Sequence, residues 1–358
     1  MARDADIVVV GAGIVGAATA RALAGTVATV LLLERLELGH DRGSSHGTSR
    51  IFRLNYPDER YVRMAQAADA AWRELERERG EQLVARHGSL DIGPVARGTA
   101  RALSACGVPF ETLSAAEAGS RWALRLDPGE TAVHQADGGI LLADRAHGAL
   151  VAGALEQGVE VHERAPVVSL ALERRGVRVT LERGEISARS VVVAAGAWAP
   201  RLLADVGVEL PVVPTRETVI HLALDGDGAP PSVIDWSRTP SPGAGIARTG
   251  QAAYALASPG LGLKAGLHHS GPVADPDEDM TPDDRVADWV SAWASERFDG
   301  LGNVERIETC LYTNTADESF VLERYGRVVV GAACSGHGFK FAPAVGRTLA
   351  ALAREAAF

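Results

Sequence analysis

Cysteine is scarce in this chain, with Cys106, Cys310 and Cys334 the only three. An odd number so widely spread is too sparse for a disulfide framework and lacks the spacing of a zinc motif. Small stapled secreted scaffolds are thereby excluded, a reducing, cytoplasmic setting is expected, and no metal site is assigned. Positive charge is in deficit as well, 36 Lys and Arg against 46 Asp and Glu, for a formal net charge of -10. A general nucleic-acid binder needs clustered cations against phosphate, so that class is set aside. Long apolar runs are missing too. Ile7–Val10 is preceded by acids and followed by glycines, without the basic flank and long core of a signal peptide, and no later run nears a membrane span. No membrane partner is expected. What the 358 residues do contain is 46% hydrophobic content, enough for the core of a globular enzyme of two domains or one elaborated one.

The chain opens as a βαβ unit. Asp6–Val10 reads as a buried strand, Gly11–Gly16 as a turn, Ala17–Ala24 as a small-residue helix and Val27–Leu33 as a second strand. A long helix enters at Pro57-Asp58 and leaves at Gly80, with Met64, Ala68, Trp72 and Leu75 on one stripe. Ser89–Ile92 is a short strand. Further on come a helix, Ala143–Glu156, and strands Val159–His162, Val167–Leu172, Val177–Leu181 and Val191–Ala195. Strands are also expected near Val219–Leu222, Ala252–Ala257 and Lys264–His268, then a helix opening at Thr281-Pro282 with Trp289 and Trp293 on one face. The chain closes with a strand at Val328–Gly331, a turn at Ser335–Gly338 and a helix to about Ala357. The fold class is α/β: a discontinuous Rossmann-like dinucleotide domain from residues 1–85, 140–214 and 309–358, and a mixed β-sheet substrate domain carrying helices from 86–139 and 215–308.

Gly11, Gly13 and Gly16 stand in a G-x-G-x-x-G turn between strand and helix, where missing side chains let backbone N–H groups approach a pyrophosphate. Glu34, at the end of the second strand beside Arg35, is placed to accept hydrogen bonds from a ribose diol. A tight glycine turn between packed elements is the alternative. The motif by itself leaves NAD and FAD both open, because each contains the same ADP half.

Four segments carry a resemblance. Ser45–Arg53, Gly262–His268, Cys310–Glu318 and Ser335–Phe341 together resemble the monomeric sarcosine oxidase and N-methyltryptophan oxidase family of FAD-dependent amine oxidoreductases. The resemblance implies FAD as cofactor, bound by the glycine turn and by Ser45, His46, Thr48, Ser49, Arg50, Val167, Gly196, Trp198, Gly336, Gly338, Phe339 and Lys340. It also implies a covalent link through Cys310, whose thiolate would be the nucleophile; a buried structural cysteine is the alternative. Cys106 and Cys334 are read as structural. Arg53 and Lys340 would clamp a substrate carboxylate. Lys264 would support reduction of O2 as a fixed cation, and His268, on the same strand face by the period of two, would meet the amine. Tyr254 and Tyr312 would line the amine pocket, while His269 should point to the opposite face. Ordinary salt bridges, satisfied histidines and packed tyrosines are the alternatives at these positions.

The implied reaction is oxidation of a C–N bond in a secondary amino acid, N-methyl or cyclic, with O2 going to H2O2 in a monomeric enzyme. Competing expectations are a primary amino acid oxidase, a dehydrogenase using another acceptor, an inactive flavin-binding subunit and, from the glycine motif alone, an NAD-dependent dehydrogenase. The stretch Asp225–Gly250, dense in Pro and Gly, carries none of the four matching segments and leaves the substrate's identity open.

Overall fold

In the computed structural model the chain is described over residues 3–25, 29–224, 229–248, 250–278, 280–333 and 335–358. Ile7, Val8 and Val9 are fully buried, as a strand must be when it sits inside a parallel sheet with both faces covered. Their strand, Arg3–Val10, pairs in parallel with Val30–Leu33 on one side and Gly184–Val193 on the other. Glu160–His162 extends this sheet beyond Val30–Leu33, and Val328–Ala332 joins Gly184–Val193, both in parallel. Antiparallel strands Val167–Glu173, Gly176–Leu181 and Val321–Tyr325 complete eight. Helices Ile14–Leu23 and Ala342–Ala357 pack against each other over this sheet. Gly346 is what lets them approach, since a Cβ there would lie 2.5 Å from the Ala18 carbonyl carbon.

A second eight-stranded sheet runs in the order Leu301–Asn314, Val213–Leu224, Gly262–Leu267, Ala253–Ser258, Ser232–Asp235, Ser89–Ile92, Thr131–Gln135, Glu111–Ser114. The helix Asp284–Arg297 covers one face of it with Val286, Val290 and Trp293. A small third sheet, Ser49–Phe52, Gly139–Leu142 and Val84–Arg86, carries the segment that follows Ser45. The α/β class with mixed sheets is thus as expected.

Several elements match their sequence signals closely. The long helix is Glu59–Arg79, with Asp58 accepting from Arg60 N as N-cap and Gly80 in the left-handed region as C-cap. Ser89–Ile92 and Ala143–Glu156 appear with the expected bounds. Others differ. The second strand begins at Val30, and Val27 lies outside the described residues. The Trp289 and Trp293 helix starts at Asp284 because Asp283, not Thr281, supplies the N-cap. The 14-residue strand Leu301–Asn314 had no clear signal, for its first half is mostly exposed and shows no apolar alternation. It pairs along Val213–Leu224, so the boundaries drawn at 214/215 and 308/309 both fall inside strands.

One buried ionic cluster fastens the second sheet to its helix. Arg297, 2% exposed, donates to Asp235 (2.8 Å), to Glu130 (2.8 Å) and to Ser237 (2.7 Å), and Trp293 Nε1 also donates to Asp235 (2.9 Å). Burial alone would raise the Glu130 carboxyl, yet the Arg297 guanidinium holds it at about 2. Asp235→Ala leaves a buried guanidinium and an indole N–H without their partner, so a loss of about 3–5 kcal/mol in urea unfolding is expected; a loss under about 1 kcal/mol would show that the cluster is not needed to hold helix to sheet.

Candidate functional site

Two cavities meet at a common wall. The first, of about 460 Å³, runs along the glycine turn, and the second, of about 300 Å³, opens between the second sheet and the long helix. Arg50, Cys310, Tyr312, Gly336 and Phe339 line both.

The first cavity is a dinucleotide cradle. Gly11 has φ 95°, and a Cβ on it would sit 2.7 Å from the Ala194 carbonyl oxygen. Gly13 caps the helix Ile14–Leu23 without a side chain, leaving its N-terminus open to a negatively charged group, while Ser45 Oγ takes the Ile14 N–H at 3.0 Å. Gly16 lines no cavity; a Cβ there would collide with the Gly11 carbonyl oxygen, so this glycine serves close packing of turn and helix. Glu34 is buried and accepts from Ala12 N (2.9 Å) and Leu36 N (3.0 Å). Burial opposes its ionisation, but His40 and these two N–H groups hold the carboxyl below its usual range.

Arg35 stacks over Trp198 at 5.1 Å, and both donate to Asp277, which also receives Arg201. This exposed clasp at the cavity rim was only half legible in the sequence, since Asp277 and Arg201 carry no motif. Val167, Gly196, Gly336 and Gly338 line the same cavity. Thr48 does not: its hydroxyl meets Ser258 (2.7 Å) and its carbonyl accepts from Ala143 N. Ser49 lines the second cavity instead, buried, with its hydroxyl unpartnered among the described residues. His46 faces the first cavity with a buried Nε2 that has no partner among the described residues; burial, with Arg50 and Lys264 nearby, pushes its pKa down to about 4. His147, which sequence reasoning missed, bonds Ala12 O at 2.6 Å. The open glycine turn, the ionised Glu34 and the unsatisfied His46 Nε2 fit a flavin dinucleotide lying from turn to common wall.

The second cavity is rich in buried cations. Arg53 donates to Asp91 (3.3 and 3.4 Å) and to the Asn55 carbonyl, with its guanidinium 4.2 Å over the Tyr56 ring. Lys340 Nζ donates to Tyr56 Oη (2.9 Å) and to the His337 carbonyl (2.8 Å). Tyr56 therefore bridges the two cations, a role that no sequence pattern announced. Burial pushes Asp91 up to about 6 against the pull of Arg53. Burial, reinforced by Arg53, drives Lys340 well below the usual lysine range. Tyr61, His337 and Phe341 pack against Tyr56, Phe320 backs Tyr61 and His337, and Tyr61 and His337 line this end of the cavity.

At the other end Lys264 stands on Gly262–Leu267 beside the common wall. It has no hydrogen-bond or ion-pair partner among the described residues, and burial with Arg50 nearby lowers its pKa to about 8. Arg50 itself is held by the carbonyls of Ser44, His46 and Ser49 and lies 5.7 Å over Phe339. Tyr254 and Tyr312 interact through their hydroxyls, and burial raises both. Cys310 lies between the cavities on Leu301–Asn314, where burial raises its thiol while Arg50 and Lys264 oppose the rise. Cys106 is likewise a free thiol, and Cys334 is outside the described residues.

His268 lines the same cavity as Lys264, as alternation implies. His269 does not turn to the opposite side. The strand ends at Leu267 and His269 takes a left-handed conformation (φ 56°), which breaks the alternation and brings its ring to 3.9 Å from that of His268.

The fold and cradle define a dinucleotide-dependent oxidoreductase, and residues 6–352 match the family model described as DAO, FAD dependent oxidoreductase. Peroxisomal sarcosine oxidase of Mus musculus is 35% identical over 96% of this chain and 90% of its own. Monomeric sarcosine oxidase of Streptomyces avermitilis is 31% identical over 97% and 93%. Among solved structures, NikD, an unusual amino acid oxidase essential for nikkomycin biosynthesis, superposes with TM-score 0.86 at 27% identity, covering 99% of this chain and 94% of that one. L-proline dehydrogenase from P. horikoshii superposes with TM-score 0.85 at 25% identity, covering 98% and 94%. The chain belongs to the sarcosine oxidase and N-methyltryptophan oxidase family of FAD-dependent oxidoreductases.

Proposed function

We propose that the protein oxidises the C–N bond of a small secondary amino acid, N-methyl or cyclic, to an imine, with O2 as electron acceptor and H2O2 as product. The observation that carries this reading is one cavity holding a pair of buried cations, Arg53 and Lys340, at one end and an unpartnered lysine, Lys264, at the other. The activities for which the relatives are named, sarcosine and N-methyl-L-tryptophan oxidation, support the same substrate class.

The chemistry of each residue follows from its surroundings. Asp91 engages one guanidinium nitrogen of Arg53, which leaves the remaining donors of that fork for a carboxylate. Lys340 has three N–H donors and two protein acceptors, so one is left for the substrate. Its depressed pKa means that an arriving carboxylate restores the ammonium form it then binds. Tyr254, Tyr312 and His268 flank the place where the amine lies. Burial keeps His268 toward its neutral form, able to accept from an N–H or receive a proton. FAD held along the glycine turn would supply the two-electron oxidation of the C–N bond and a route for the electron pair to O2. Lys264 presents positive charge where negative charge develops as O2 is reduced. Cys310, on the wall both cavities share, is positioned to hold the cofactor covalently.

Sarcosine, other N-methyl amino acids, proline and pipecolate are expected to yield peroxide in an oxygen electrode or coupled peroxidase assay, faster than the corresponding primary amino acids. No peroxide from any member of that panel would sink the reading. After acid precipitation the flavin should remain in the protein pellet, and Cys310→Ser should release it to the supernatant; release from the unaltered protein removes Cys310 from the role. The likeness to an L-proline dehydrogenase makes the acceptor worth a direct measurement. In stopped-flow reoxidation, Lys264→Met should slow the reaction with O2 by about a hundredfold, in the range seen when one preorganised charge-stabilising donor is removed. Because the folded pKa is lowered to about 8, the cation is present below that value and lost above it, so the reoxidation rate should fall as pH rises through about 8 and be flat in the variant. Reoxidation equally slow before and after the substitution points to an acceptor other than O2.

A further inference from the structure

At the edge of the cation-lined cavity, one side-chain cluster among the described residues has the composition of a metal site. His268 and His269 follow the strand Gly262–Leu267, and Glu318 reaches them from the loop after Leu301–Asn314. One ligand atom from each lies within 4.8 Å of the other two. His268 Nε2 stands 3.9 Å from one Glu318 oxygen and His269 Nε2 stands 3.2 Å from the other. In a tetrahedral site with bonds near 2.1 Å, neighbouring ligand atoms are about 3.4 Å apart. The two His–Glu spacings bracket that value and all three ligand atoms lie within 4.8 Å, so side-chain rotation without backbone movement would close the shell.

The cluster is also electrostatically prepared. Glu318 presents one carboxylate oxygen to each imidazole. His269 Nε2 is enclosed and has no hydrogen-bond partner among the described residues, because the approach to Glu318 lacks the alignment of a hydrogen bond. An unsatisfied ring nitrogen facing a carboxylate is costly as it stands and becomes useful once a cation sits between them. Tyr61 Oη and His337 Nε2 both bond the Glu318 carbonyl, at 3.2 and 3.1 Å, and so fix the backbone from which the carboxylate projects. Two imidazoles and one carboxylate suit Zn2+ and cations of similar softness better than Mg2+ or Ca2+, which favour all-oxygen shells.

We propose that His268, His269 and Glu318 form a three-ligand site for Zn2+ or a similar divalent cation at the edge of the second cavity, and that its occupation inhibits the enzyme. His268 and Glu318 line that cavity, and Glu318 is 47% exposed, so the site is open to solvent on one side and to the substrate on the other. A cation there takes the His268 nitrogen from the amine and adds positive charge beside the place the amine must occupy. Inhibition is then competitive with the amine substrate. The inhibitory consequence rests on the function proposed above, whereas the site itself does not.

The test uses the flavin-loaded protein freed of metals with a chelator. Isothermal titration with ZnCl2 is expected to show one tight site per chain that weakens at least tenfold in His269→Asn and in Glu318→Gln. Asparagine tolerates the left-handed backbone at 269, and circular dichroism confirms that each variant is folded. No tight site, or affinity unchanged in both variants, overturns the proposal whatever the enzyme's activity. With the best substrate of the peroxide panel, Zn2+ should raise KM without lowering kcat, the effect should vanish on adding EDTA, and it should be lost in His269→Asn. An unchanged KM at a Zn2+ concentration that fills the site overturns the inhibitory part.

Discussion

Positive charge held inside a cavity with incomplete neutralisation is the constraint on which the rest of the structure depends. Moving an ammonium or guanidinium out of water costs several kcal/mol per ion, and a folded chain accepts that only where partners offset it. Arg53 and Lys340 have such partners in Asp91, Tyr56 and backbone carbonyls. Lys264 has none among the described residues, and in both lysines burial, reinforced by a neighbouring arginine, lowers the pKa. The three residues come from just after the Ser49–Phe52 strand of the third sheet, the short helical turn Phe339–Phe341 after the final glycines, and the second large sheet. The arrangement therefore exists only when those parts are assembled, and the cost of burying the cations falls on the packing between them.

The common wall shows how assembly is achieved. The strand Leu301–Asn314 is long enough to begin at the exposed end of the second sheet and finish against the glycine turn at Gly336. Cys310 and Tyr312, two residues apart, point to one face and border both cavities. A Cβ at Gly336 would lie 2.1 Å from the edge of the Tyr312 ring, so the missing side chain lets the second sheet close on the final glycine turn. One continuous strand thus fixes the distance between the place for the cofactor and the place for the substrate, with no hinge between them.

Much of this was legible in the sequence, and unevenly so. The βαβ opening and the capped helix Glu59–Arg79 were readable because local signals and tertiary role agree there. The strand Leu301–Asn314 was not, since its exposed first half is paired only along an edge and its residues show no apolar alternation. Tyr56 and Asp91 were missed because their function is to hold Arg53, and nothing in their neighbours' spacing says so. One signal was present and overlooked: of 36 basic residues only Lys264 and Lys340 are lysine. Elsewhere the chain uses arginine, which stays charged wherever it is put. Lysine remains at the two positions where a compact charge with a movable pKa is useful, and both line one cavity.

That distribution bears on which form of the substrate can react. An amino acid in neutral water carries both a carboxylate and an ammonium. The chain as a whole is acidic, so the cations of this cavity make it a local exception that draws in the carboxylate end. The same cations oppose entry of a second positive charge. Asp91 is engaged by Arg53, Glu318 faces two histidines, Asp58 caps the long helix and pairs with Arg60, and Asp317 accepts from Ser319 N, so each nearby carboxylate already has a partner. Under the proposed function the cavity binds the anionic end and disfavours the protonated amine. The field that holds the substrate therefore also promotes loss of the amine proton. The lone pair required for oxidation of the C–N bond then becomes available without a dedicated catalytic base.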